Sequence, residues 1–552
     1  MEAFAALVDA LIYTRSRNGK LELIADYLRR TPDPERGWAL AALTEGLDFP
    51  AVKSGTIRTL LHERVDPLLW QLSRDFVGDT AETASLLWQP PALADGPPAP
   101  PPSVTQAVEA LSAMTRASVL TELPRLLDRL DPDGRYALLK LATGAMRVGI
   151  SARLAKTAFA LAFRVDVDAV EEYWHALAPP FQPLFDWAAN GADPPDTQSL
   201  PLFRPFMLAH PLDDLQVDLA DYVAEWKWDG IRVQLACAGG ATRLYSRSGD
   251  DITATFPELA EALTIPAVLD GELLVRGSHQ GGEEGGAASF NALQQRLGRK
   301  TVSAKMLAES PAFVRLYDLL LLDGEDLREC PWTDRRAALE ALLPRLPAEH
   351  FDLSTIIPAD SFADLATIRD GTRDEAIEGL MLKRRTSPYV AGRRTGLWYK
   401  WKRDPLLVDC VLMYAQRGSG RRASFYSDYT FGCWQGDPAD PAGGAELLPV
   451  GKAYSGFTDE ELKRLDRHVR QHTLNRFGPV RETDRSLVFE VAFDSVRASK
   501  RHKSGLAMRF PRIHRIRWDK PAHEADRIEA LQALVHGEPG GGTARRQDLS
   551  AE

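Results

Sequence analysis

The first 200 residues carry a helical period. Leu21, Ile24, Ala25 and Leu28 recur three and four apart, and Leu120, Leu123, Leu126, Leu127 and Leu130 come close to the same spacing. Residues 89–103 (QPPALADGPPAPPPS) interrupt this pattern with too much proline for a helix or a central strand, and they read as a stiff, extended linker. Pro179-Pro180 and Pro194-Pro195 punctuate the end of the region. From about 205 the period drops to two. Val233, Leu235 and Cys237 alternate with Gln234 and Ala236, and Gly239-Gly240 offers a hairpin turn before the next strand-like run. Further strand-like runs fall at 267–275, 313–322, 379–384 and 398–402, with a helical stretch at 334–343. After Asp404-Pro405 the strands continue at 407–414, 423–429, 487–493 and 513–518. One amphipathic helix interrupts them. Thr458 with Glu461 forms a capping-box signature, and Leu462, Leu465 and Val469 supply its apolar stripe. The pattern predicts a helical first part, an α+β middle and a small barrel of about five strands with one helix, of the oligonucleotide-binding (OB) type. The glycine-rich stretch 277–286 reads as an exposed loop, and 537–552 as a disordered tail.

Composition narrows the class. With 552 residues, 44% hydrophobic and 26% charged, the chain is globular and long enough for several domains. No apolar run reaches the roughly 18 residues of a membrane span. The four cysteines (Cys237, Cys330, Cys410, Cys433) are scattered without a CxxC, which argues against a zinc ribbon or a disulfide framework. The net charge of -10 is unlike a nucleic-acid binder, but phosphates respond to local patches rather than to totals. Seven cations and no acid occupy 384–403 (Arg384, Arg385, Arg393, Arg394, Lys400, Lys402, Arg403), and eight cations and no acid occupy 497–517. Both runs are interleaved with aromatic residues, which points to phosphate-facing surfaces.

The candidate chemistry centres on Glu225-Trp226-Lys227-Trp228-Asp229-Gly230-Ile231-Arg232. Lys227 lies beside a turn between two strand-like runs. A lysine with a pKa of about 10.4 has no lone pair to attack with at neutral pH, so nucleophilic use needs nearby cations or desolvation. Asp270 and Glu272 take alternate positions of an apolar strand and face the same way. Such an acid either pairs with a core arginine or serves as a ribose acceptor or magnesium ligand. Tyr317, in the 313–322 run, either packs in the core or stacks on a base. Glu378 opens another apolar strand. Lys400 and Lys402 share one face of a strand, where like charges repel unless an anion lies between them.

Taken in order, these motifs resemble the covalent nucleotidyltransferase superfamily, and most closely the ATP-dependent DNA ligases. The carrying residues are Lys227-Trp228-Asp229-Gly230, Ser246-Arg247-Ser248-Gly249, Asp270-Gly271-Glu272, Tyr317-Asp318-Leu319, Glu378-Gly379-Leu380-Met381-Leu382-Lys383, Lys400-Trp401-Lys402 and the stretch 508–517 (MRFPRIHRIR). Pro205-Phe206-Met207-Leu208-Ala209 matches the usual entry to the catalytic domain, and Met146-Arg147-Val148-Gly149-Ile150 resembles the DNA-binding domain of archaeal and eukaryotic replicative ligases.

The resemblance implies a multidomain fold. Its parts are an all-α DNA-binding domain at 1–200, an α+β nucleotidyltransferase (ATP-grasp-like adenylation) domain at 201–404, and an OB-fold β-barrel at 405–536. It implies Lys227 as the nucleophile that becomes lysyl-AMP. Glu225 contacts the adenine amino group, Tyr317 stacks on the ring, and Glu272 holds the ribose. Arg232, Arg247, Arg394, Lys400 and Lys402 line the phosphates, Glu272 and Glu378 hold Mg2+, and Arg509 and Arg512 orient the departing pyrophosphate. Tyrosine at 317 departs from the phenylalanine often found there. ATP and nicked duplex DNA are the implied substrates, and the expected setting is a monomer in a bacterial cytoplasm. RNA ligases and capping guanylyltransferases share the lysine motif, but the helical first third and Arg509-Phe510-Pro511-Arg512 speak against both.

Overall fold

The computed structural model describes residues 1–91, 99–144, 146–197, 199–212, 217–276, 293, 296, 302–371, 376–418, 425–439, 444–499 and 502–535. The loop expected at 277–286, the tail at 537–552, residues 92–98 of the proline-rich linker, Lys500 and Arg501, and the start of the strand expected at 423–429 lie outside these residues.

Up to residue 190 the described elements are helices. Their starts are set by short polar side chains that accept from the first free N–H groups: Asp66, Asp79, Ser103, Asp131 and Ser151 each cap a helix in this way. Leu21, Ile24, Ala25 and Leu28 are buried along the Arg17–Arg30 helix, as their spacing predicts. Leu120 differs: it lies on the outer face of the Val119–Leu127 helix, while Leu123, Leu126 and Leu127 point inward. Contacts divide the chain into two compact units, one of 1–10, 47–147 and 404–552, the other of 11–46 and 148–403. This division does not follow the change from helix to strand near residue 200. The Arg17–Arg30 and Ala152–Phe163 helices pack on each other and fall in one unit with the strands between residues 207 and 402.

The 11–46/148–403 unit is built around two sheets. One has six strands, in which the Ala241–Ser246, Ile231–Ala238, Ala267–Val275 and Ala312–Leu322 strands lie side by side in that order, each antiparallel to the next. The expected alternation on Ile231–Ala238 is only half the story, because both faces are covered. Val233 and Leu235 enter one core with Phe256, Leu259 and Leu339. Ala236 enters a second with Phe203, Phe206, Val223 and Trp398. Gln234 is wholly buried between them and pairs with the Arg204 backbone at 2.5 and 3.0 Å. The other sheet has five strands. Its centre is Tyr222–Trp228 beside Ile377–Arg384 beside Trp398–Lys402, all antiparallel. Leu380 and Leu382 bury its outer face against Leu365 of the Phe362–Gly371 helix. Val223 and Trp398, on its inner face, share a core with Ala236, Val268 and Leu320 of the six-stranded sheet, so the two sheets face each other.

In the other unit, seven strands form one sheet; five of them share a large core, and a second, smaller core gathers Val411, Met413, Leu447, Val488 and Ala525. The long Leu406–Arg417 strand is its spine. One edge pairs with Tyr426–Gln435; the other pairs with Val488–Phe493 along its first half and Val480–Thr483 along its second. Among the described residues the pairings run as an open path. Seven strands rather than about five take part. The Asp459–Gln471 helix begins at the expected Thr458–Glu461 capping box and buries Leu465 and Val469. Cys410 and Cys433, distant in sequence, meet in this core with sulfurs 3.6 Å apart, and both remain thiols.

Candidate active site

The three central strands of the five-stranded sheet set out the site in rows. Lys227 is level with Gly379 and Lys402; Glu225 is level with Met381 and Lys400; Val223 is level with Lys383 and Trp398. Residues opposite one another share a face, so all of these side chains emerge on the inner side. Glu378 joins them through an irregularity. The register slips between Ile377 and Gly379, a bulge that turns Glu378 toward Lys227. Its Oε2 lies 2.8 Å from Lys227 Nζ and 2.9 Å from Lys402 Nζ. Two glycines make this approach feasible. A Cβ on Gly379, whose φ is +152°, would stand 2.3 Å from the Trp401 carbonyl oxygen. A Cβ on Gly230, after the Lys227 turn, would stand 2.5 Å from the Leu273 carbonyl oxygen and 2.8 Å from Glu272 Cγ.

The six-stranded sheet supplies the facing groups. Arg232 and Glu272 are register partners. Arg232 forms a two-pronged pair with Asp270 at 3.1 and 2.7 Å and donates to the Met207 carbonyl at 2.6 Å. Tyr389 OH donates to the same Asp270 at 2.6 Å. Asp270 is therefore the acid that neutralises the core arginine, which leaves Glu272 without such a partner. Gly230 N–H donates to Glu272 Oε1 at 3.2 Å. Burial pushes the Glu272 carboxyl up to about 8, overcoming the pull of Lys227 and Arg232, with Glu378 and Asp270 adding to the rise. Glu378 moves the other way: burial would raise it, but Lys227 and Lys402 outweigh burial and hold it at about 2. Two neighbouring carboxyls thus sit in opposite protonation states at neutral pH.

Glu225 is buried at the base of the site. Its Oε2 accepts from Lys383 Nζ at 3.2 Å. Its Oε1 lies 3.7 Å from Arg336 Nη1, is closed to solvent and accepts no hydrogen bond. Lys383 Nζ also stands 4.5 Å from the centre of the Tyr317 ring. The buried ammonium, the ring and the unused carboxylate oxygen line one place. That is the chemistry of a pocket for a flat heterocycle carrying an amino group.

The expected phosphate groups divide. Lys400 is pushed below its ordinary value by burial and then by Arg393, Lys402, Lys227 and Arg247, so these five cations form one field. Arg247, Lys400 and Lys402 therefore gather with Lys227. Arg393 is among the charges acting on Lys400, and Arg394 is among those acting on Asp168 of the Val167–Trp174 helix. Arg232 is committed to Asp270 below this cluster. Arg509 ends the Leu506–Arg509 strand and Arg512 begins the exposed face of Arg512–Arg517, both in the other compact unit. The sequence reading passed over Tyr389, gave Lys383 no role beyond its motif, and held Arg393 only within the basic run of 384–403. For Lys383 the signal was available, since 379, 381 and 383 share the face of Glu225.

Carboxylate oxygens at Glu272 and Glu378 are hard donors of the type Mg2+ prefers, and Glu272, held neutral by burial, would gain most from a cation beside it. These residues fit a magnesium ion.

Comparison with known proteins gives the family. A family profile described as "ATP dependent DNA ligase domain" matches residues 206–402, and one described as "ATP dependent DNA ligase C terminal region" matches 422–520. The chain is 31% identical over 582 residues to the "Probable DNA ligase" of Koribacter versatilis, covering 98% of this chain and 97% of that one. It is 29% identical over 562 residues to "DNA ligase 1" of Korarchaeum cryptofilum, covering 97% and 98%. Among solved structures, "Pmar-Lig_PreS3" aligns at a TM-score of 0.55 and 14% identity, covering 93% of this chain and 99% of that one, a likeness of fold. No helix of the described residues is long and apolar enough to cross a membrane.

Proposed function

The chain belongs to the ATP-dependent DNA ligases, enzymes that form phosphodiester bonds and release AMP, and from that premise we propose that Lys227 is the residue that carries the AMP. The observation that carries this reading is the Lys227–Glu378 pair at 2.8 Å, set among Lys402, Lys400, Arg247 and Glu272 between two facing sheets.

Lys227 Nζ attacks the α-phosphorus of ATP, the bond to the β-phosphate oxygen breaks, and pyrophosphate leaves. The 5′-phosphate of a nick then displaces the lysine and takes the AMP. The 3′-hydroxyl attacks that activated phosphate, the phosphodiester forms, and AMP departs. Each transfer is in line, so catalysis rests on positioning and charge neutralisation. Glu225 Oε1 accepts from the adenine amino group, and Tyr317 covers the ring. Arg247, Arg393, Lys400 and Lys402 meet the phosphates. Glu378, a carboxylate near pH 2 and above, is a weak base; it orients the Lys227 amine rather than deprotonating it. Glu272 and Glu378 would hold Mg2+, which neutralises charge building on the transferring phosphate.

The helical first part and the strand-rich last part are read as DNA-binding. Residues 1–200, 201–404 and 405–536 then serve as DNA-binding, adenylation and OB-fold domains, hinged at Asp404-Pro405. The core that the Asp459–Gln471 helix shares with five of the seven strands supports the OB reading. Arg509 and Arg512 orient pyrophosphate. The substrate is a nicked duplex, bound by a monomer through phosphate contacts that weaken with salt.

Intact-mass spectrometry after incubation with ATP and Mg2+ tests the nucleophile. Wild-type protein gains one AMP, and Lys227→Ala gains none. An adduct on Lys227→Ala would overturn the assignment, and an adduct formed with GTP in place of ATP would move the nucleotide pocket to another reaction class.

A further inference from the structure

The Asp459–Gln471 helix ends on a group of side chains that strand joining does not use. His468 and His472 stand one helical turn apart, and their rings stack with centroids 4.1 Å apart. The following strands, Thr473–Phe477 and Val480–Thr483, form a hairpin whose register sets Thr473 opposite Thr483. That register returns the chain to the helix end. Asp484 N–H donates to the His472 carbonyl at 3.0 Å, and Asp484 Oδ2 lies 2.5 Å from His472 Nδ1. The other carboxylate oxygen is held by Ser486, through its N–H at 3.2 Å and its hydroxyl at 2.6 Å. One ligating atom from each of His468, His472 and Asp484 lies within 4.8 Å of the other two.

A histidine stack with one hydrogen bond leaves part of this arrangement unaccounted for. His468 Nε2 is closed to solvent and has no hydrogen-bond partner. A buried ring nitrogen without a partner is costly and asks for a ligand.

We propose that His468, His472 and Asp484 form a site for a transition-metal dication of the zinc class. Two imidazole nitrogens and one carboxylate oxygen make a donor set that zinc takes, with a fourth position left for water. Magnesium prefers oxygen ligands throughout, so the two ions sort themselves between this site and the Glu272–Glu378 carboxylates. Ligands bound at about 2.0–2.1 Å in a tetrahedron stand roughly 3.3 Å apart, so the three atoms close by rotation of half-exposed side chains. The ion fastens the end of the helix to the hairpin, adding to the Asp484–His472 contacts and to the Thr473 hydroxyl that donates to the Val469 carbonyl at 2.5 Å.

The test uses the full chain, stripped with chelator and kept in excess Mg2+. Zinc binding is read by competition with a chromogenic chelator, and cobalt(II) by its visible absorption. One equivalent is expected, with a rise in the thermal midpoint on adding zinc. His468→Gln with His472→Gln should abolish binding, and Asp484→Asn should weaken it by at least the roughly 10–100-fold that loss of even an outer partner costs. Circular dichroism of each metal-free variant reports folding, and Asp484→Asn keeps the test alive should the double variant unfold. One equivalent that persists in folded Asp484→Asn and in the double variant with unchanged affinity would overturn the proposal. So would the absence of zinc-dependent change in the wild-type midpoint and cobalt spectrum.

Discussion

Glu272→Gln should make the ligand-free protein more stable and the enzyme less active. The reason lies in proton linkage. An unfolded glutamate ionises near 4.5, whereas burial raises folded Glu272 to about 8. Below about pH 4.5 both states hold the proton and the group discriminates nothing. Between these values the unfolded chain has released its proton and the folded chain has not, so stability falls as pH rises. Above about 8 the loss is complete. A difference of that size corresponds to roughly 5 kcal/mol at about 1.4 kcal/mol per pH unit. Relaxation and water entry reduce the figure, so a working expectation is about 2–3 kcal/mol. Glutamine keeps the oxygen that accepts from Gly230 N–H and cannot ionise. Urea unfolding followed by tryptophan fluorescence, at about pH 5 and about pH 8.5, should show wild type losing that amount relative to Glu272→Gln. Adenylation should fall in the same variant, because the carboxylate offered to ribose and metal is gone. Equal pH slopes for the two proteins would refute the reasoning, since they would mean that Glu272 is ionised in the folded state throughout.

Three further expectations follow from the same geometry. Gly379→Ala forces a Cβ to 2.3 Å from the Trp401 carbonyl at a φ of +152°; strain and overpacking together should cost about 2–4 kcal/mol in urea unfolding, and a cost under about 1 kcal/mol would sink the account of the bulge. Asp270→Asn leaves the Arg232 guanidinium buried without its counter-charge, so stability should drop by about 3–5 kcal/mol, while Tyr389→Phe, which removes only one donor, should cost about 1 kcal/mol. Arg393→Ala should raise the KM for ATP in the adenylation step about tenfold, the worth of one charged contact, and Arg394→Ala should raise it less; the reverse order would return Arg394 to the phosphates.

The elements around the nucleophile were legible because each had a local cause. The 267–275 and 398–402 strands lie where alternation and β-branched or aromatic content put them. The Thr458–Glu461 box announced its helix. Lys227, Lys400 and Lys402 came together because positions two apart on neighbouring strands must share a face. Illegible features were those that depend on register between strands. Nothing in Glu378-Gly379 alone says that the ladder slips there, yet the slip is what turns Glu378 inward to pair with Lys227. Nothing in Asp270-Gly271-Glu272 says which acid meets the core arginine. Alternation makes the two equivalent, and the choice falls on Asp270 because Tyr389, some 120 residues away, donates to it as well. Residue types therefore specify what chemistry the site can hold, while register distributes the roles. It follows that substitutions which shift register without touching a charged side chain, Gly379→Ala foremost, should impair adenylation as deeply as loss of Glu378 itself, because they remove the same contact by moving the strand that makes it.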